Sequence, residues 1–170
     1  MRFVVTGEWN RNRLLQLIVL LYVLYVALLI VTNGLLYFDK MSLAPSSVIS
    51  YYLGDEAEFR PARSYESLLE ISHFHLFAVG MLLMVLTHLM LFIPVSSTTK
   101  AWLIVVPLLS GFVSEGAGWL VRFVSPSFAV VKVAGFLLLQ GSLILLVVIS
   151  VWSIFTARQA ENYTGFVDDD

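Results

Sequence analysis

Residues 14–31 read LLQLIVLLYVLYVALLIV, a run without a single charged side chain. It carries no period of two, so it is not a half-buried strand, and it lacks the polar face of a surface helix. Crossing the ~30 Å hydrocarbon core of a bilayer takes about 20 helical residues, and this run reads as one crossing. Three further apolar stretches follow, Leu68–Ile93, Ala101–Val121 and Phe128–Phe155. A transmembrane barrel would instead show segments of about ten residues in strict alternation. The expected fold is an all-α membrane protein, a single domain with four transmembrane helices in an up-down bundle. Those helices are expected over residues 12–34, 66–93, 100–123 and 127–156, with an outer loop at 37–65.

Composition agrees. The chain is 59% hydrophobic and 13% charged, where a soluble domain carries about 25% charged residues. Arg2, Arg11 and Arg13 precede the first apolar run, as in a secretory signal. The run is too long for one and no small-residue cleavage site follows it, so a retained helix is expected. Cysteine is absent, which excludes disulfides, thiolate metal sites and c-type haem attachment within this chain. A net charge of −2 gives no reason to expect a nucleic-acid partner. Basic residues divide evenly between the two sides, and the Arg11/Arg13 pair beside the first helix places the termini in the cytoplasm.

The outer loop holds Pro45, Ser46, Ser47, the Tyr51–Tyr52 pair and GDEAEFRPARSYE at 54–66. Short helical turns packed over the mouth of the bundle are expected, serving either as a docking surface or simply as solvated chain.

Ionisable side chains within a bilayer are costly and mark function by default. Here they are Glu70, His73, His75 and His88 on the second helix, Glu115 on the third and Lys132 on the fourth. At about 100° per residue, Glu70, His73, Phe77, Gly80, Met81, Met84, Thr87 and His88 form one stripe, expected to face inward, while His75 points roughly 160° away from His73. His73 and His88 stand about 22 Å apart along the axis, far enough for two stacked sites. Glu70 and His73 also form an E-x-x-H pair, the element that di-iron carboxylate bundles repeat on two helices. Packing alone explains Ser110, Ser114 and Gly118 on the third helix as small-residue spacing. For Glu115 the candidate partners are Arg122, His73 and Lys132, as an ion pair or as the acceptor of a quinol proton. Trp102, Trp119 and Trp152 read as interfacial anchors.

The two histidines about four turns apart, with Gly80 between them, resemble the membrane-embedded b-type cytochromes. That resemblance implies haem b held by His73 and His88, with His75 as a further candidate ligand. Bis-imidazole ligation takes two histidines per haem, so a second copy, another membrane subunit or a methionine such as Met81 or Met84 would complete the set. YYLGDEAEF (51–59), ESLLEISHFHLFAVG (66–80), His88 and SEGAGWLVRFVSPSFAVVKVAG (114–135) together resemble an uncharacterised family of small bacterial inner-membrane proteins.

Three functions follow as expectations. The first is a haem b-binding electron-transfer subunit working between quinone and an outer-face redox protein. The second is a cofactor-free accessory subunit of a respiratory or photosynthetic complex. The third is a metal-binding protein using Glu70, His73 and His88. No nucleophile elbow, phosphate loop or H-E-x-x-H signature is present, so an independent enzyme is not expected.

Overall fold

A computed structural model describes the backbone of residues 13–165 and the side chains of residues 13–156. Arg2, Arg11 and the side chain of Arg158, which bear on the expected orientation, lie outside the described residues. The elements are α1 (Arg13–Lys40), α2 (Pro45–Leu53), α3 (Tyr65–Met90), α4 (Ser97–Phe123), a 3-10 turn (Pro126–Phe128) and α5 (Ala129–Gly165). Four helices, α1, α3, α4 and α5, are long and apolar enough to cross a membrane.

Helix ends differ from expectation for local reasons. The first helix runs six residues past 34, to Lys40, which shortens the loop. Ser64 caps α3 by accepting from the Ser67 amide, and Ser96 caps α4 by accepting from the Thr99 amide. α3 stops at Met90, before the expected 93, and Lys100 Nζ donates to the Leu91 carbonyl at 2.6 Å just beyond its end.

The loop is structured. Pro45 starts α2 in the first-turn position that tolerates its missing N–H. Val48, Tyr51 and Tyr52 of α2 are buried against Leu68, Val121 and Ala129, so the helix lies over one end of the bundle. The chain turns back through Gly54, at φ +88°, and a bridge between Asp55 and Arg60. A Cβ at Gly54 would stand 2.7 Å from the Arg60 carbonyl oxygen, so this turn requires glycine.

α5 packs against every other helix, most extensively α4. The central core joins Val26, Leu83, Leu86, Met90, Leu143 and Leu146 from α1, α3 and α5. Polar clamps lock α1 in place: Gln140 accepts from Asn33 Nδ2 at 3.3 Å and donates to the Ile30 carbonyl at 3.1 Å. Tyr22 donates to the Leu82 carbonyl of α3 at 2.8 Å. The small residues of α4 act as expected. Ser110, Ser114 and Gly118 are buried, and Gly135 of α5 approaches so closely that a Cβ there would lie 3.1 Å from the Ser114 backbone. α3 is the least covered span, with 17% of its most apolar window buried against 44% for the fourth span. Its outward flank is exposed, as is much of α1.

Candidate intramembrane polar site

The buried seam of α3 runs Leu68, Ser72, Leu83, Leu86 and Met90, with His75 and Val79 half-buried along it. This spacing of three and four presents one face to α4 and α5. The stripe expected to face inward does the opposite: Glu70, His73, Phe77, Met81, Met84 and His88 are exposed on the outer flank. Thr87 alone of that set is buried, donating to the Leu83 carbonyl at 2.7 Å. The aliphatic seam decided the rotation of α3, because Leu83, Leu86 and Met90 fill the core where the imidazoles would otherwise point.

His75, expected to serve a different neighbour, is the histidine that faces the bundle. Its Nδ1 lies 2.9 Å from Glu115 Oε1 of α4. The glutamate side chain is 17% exposed and the imidazole 43%. Lys132 of α5 is buried, with Nζ donating to the Ser114 carbonyl at 2.6 Å, and Glu115 is its Coulombic partner. The expected partners of Glu115 are thereby corrected. His73 points away from the bundle, and Arg122 donates from Nε to the Arg63 carbonyl at 2.8 Å instead. Among the described residues Glu115 is ion-paired with His75 alone, and Lys132 acts on it only at longer range.

Three helices thus converge on one polar cluster. His75 is ten residues past the start of α3 and Glu115 eight before the end of α4, placing the pair about 12–15 Å below the loop end of the bundle. Above it, Trp119 Nε1 donates to Ser72 Oγ at 2.8 Å, so this tryptophan ties α4 to α3 rather than merely anchoring at the interface. Beside it, a narrow cleft of about 50 Å³ between α3 and α4 is lined by His75, Gly80, Gly111 and Glu115. A Cβ on Gly80 would meet nothing within 4 Å.

The chemistry follows from the pairing. A carboxylate only accepts, so with Glu115 ionised, His75 donates from Nδ1 and Nε2 keeps its lone pair. A carboxylate behind one ring nitrogen is the arrangement that orients an imidazole towards a metal or a proton on the other. His73 and His88 have no carboxylate partner among the described residues. Glu70 and His73 form no three-ligand set, and among the described residues no group of three or more histidine or acidic side chains converges as a metal site.

The larger number of polar groups on the opposite face of α3 masks His75 in the sequence. The spacing of Leu68, Ser72, Leu83, Leu86 and Met90 was the available signal, and it places His75 on the packed side.

No curated protein and no solved structure matches the chain. A family model described as a transmembrane helical domain matches residues 42–161, from the loop into α5, well over half of the sequence. Four apolar spans and this match agree on a multi-pass membrane protein, and the chain belongs to that family, the Aq_1264_TM transmembrane helical domains.

Proposed function

We propose that the chain is a membrane-embedded electron-transfer subunit that holds haem b through His75, in an assembly of two or more chains. The observation that carries this reading is the 2.9 Å His75–Glu115 pair beside a cleft lined by Gly80 and Gly111. The donor set fits in part: one imidazole is oriented by a carboxylate, and Gly80 leaves room beside α3. A cleft of about 50 Å³ is far below the roughly 300–1,000 Å³ of sites that enclose a small molecule, so a second chain would have to complete the site and bring a further donor side chain.

The exposed flank of α3 supports the same assembly. Glu70, His73 and His88 stand uncovered on it, and polar groups facing hydrocarbon are costly, so a second copy or another membrane subunit packs there. When bound, the haem supplies one-electron chemistry; the protein positions the imidazole and offers Glu115 and Lys132 as charges beside it.

Reduced-minus-oxidised visible spectroscopy of the full chain, purified in mild detergent, tests the reading. The expected result is a sharp reduced α-band that His75→Ala abolishes while helicity persists. A second reading, a cofactor-free accessory subunit, is favoured by the separation of the three histidines within one chain. Colourless protein that co-purifies with a larger complex would select it.

A further inference from the structure

At the loop end of the bundle lies an open pocket of about 670 Å³, remote from the His75 cleft and unused by the reading above. Its wall is built by Asp39 and Lys40 at the end of α1, Tyr51 of α2, Arg60 and Arg63 of the loop, and Ser67 in the first turn of α3. Three cations face one carboxylate.

The cations are not equally engaged. Arg60 is ion-paired with Glu58 at 3.0 Å on the surface. Arg63 is held rigidly: its guanidinium donates to the Tyr51 hydroxyl at 2.6 Å and lies 4.3 Å above the Tyr51 ring, while its carbonyl accepts from Arg122. Its remaining N–H donors are preorganised. Lys40 has no hydrogen-bond or ion-pair partner among the described residues. A fixed guanidinium beside a free ammonium is the donor chemistry that phosphate oxygens take. The amino end of α3, a helix of 26 residues, adds favourable dipole at Ser67.

We infer that this pocket binds a phosphate-bearing anion, and that its occupant is the headgroup of an anionic phospholipid. Position favours the lipid: Lys40 ends one membrane span and Ser67 lies in the first turn of another, so the pocket lies where the hydrocarbon gives way to headgroups. Its volume lies within the roughly 300–1,000 Å³ range of small-molecule sites.

Native mass spectrometry of the full chain with added phosphatidylglycerol or phosphatidylcholine tests this, alongside thermal unfolding in phosphatidylcholine nanodiscs with and without inorganic phosphate. The variants are Lys40→Gln, at an unpartnered side chain, and Lys40→Gln/Arg60→Gln, which leaves the structural Arg63 intact. Phosphatidylglycerol should outbind phosphatidylcholine, with the preference falling about fivefold per cation removed at unchanged helicity. If inorganic phosphate stabilises the wild type and not the variants, while the two lipids bind alike, the anion site stands and its source is soluble phosphate. Equal lipid binding without a phosphate effect, or variants indistinguishable from wild type, overturns the inference. None of these readouts depends on haem.

Discussion

Replacing Glu115 by glutamine keeps its size and removes its charge, and Lys132 then loses its counter-charge in the bundle interior. Lys132 is 8% exposed, and its one hydrogen bond among the described residues is the 2.6 Å donation to the Ser114 carbonyl. Glu115 and Lys132 make no contact ion pair among the described residues, so the loss lies below the roughly 3–5 kcal/mol of breaking a buried contact pair from one side. Their longer separation, the 17% exposure of Glu115 and the residual dipole of the amide leave about 2 kcal/mol, the scale of two charges beyond contact distance at an effective dielectric of about 20. For a chain of this size that corresponds to a fall in Tm of roughly 4–8 °C. Adding Lys132→Met removes the stranded charge, and the double variant should return to within about 1 kcal/mol of wild type, since replacing both members of a buried pair is often neutral. Thermal unfolding in nanodiscs, followed by circular dichroism, completes the double-mutant cycle. Losses that simply add would show that the two charges do not interact, and the cluster would dissolve into separate contacts.

Two neighbouring glycines should behave oppositely. Gly118→Ala places a Cβ 2.7 Å from the Tyr52 hydroxyl and should destabilise by about 1–3 kcal/mol, whereas Gly116→Ala meets nothing within 4 Å and should be neutral or stabilising by up to ~1 kcal/mol; comparative thermal melts decide. Burial raises the Tyr52 phenol above its ordinary value of 10. Its contribution to stability is therefore complete below pH 10 and lost as pH climbs from there towards the folded value. Tyr52→Phe should flatten that alkaline decline, and an alkaline limb unchanged by the substitution would contradict the assignment. Trp119→Phe should cost about 1 kcal/mol through loss of the bond to Ser72, measured as a shift in melting temperature.

The spans were legible because bilayer thickness imposes a length and an apolarity that runs such as 14–31 and 128–155 meet without help from the rest of the chain. The α4 packing face was legible too, since Ser110, Ser114 and Gly118 keep a spacing of four. The rotation of α3 was not. A stripe of polar groups and a seam of aliphatics compete for the interior, and the outcome depends on the volume that α1 and α5 offer to Leu83, Leu86 and Met90. The His75–Glu115 pair followed from that rotation, so its two members, 40 residues apart, could not be joined on the sequence alone. α2 was legible as a short helical turn over the mouth of the bundle but its bounds were not: nine residues make a marginal helix in isolation, and burial of Val48, Tyr51 and Tyr52 on α4 and α5 stabilises it.

The claim that His75, and not the His73/His88 pair, is the histidine prepared for a ligand is tested most directly by one comparison. Reduced-minus-oxidised spectra of wild type, His75→Ala and His73→Ala/His88→Ala would be recorded at matched protein concentration and helicity. The expected result is an α-band in the wild type that vanishes in His75→Ala. An α-band that survives His75→Ala and disappears with His73 and His88 would contradict it, as would a wild-type protein with no haem absorbance.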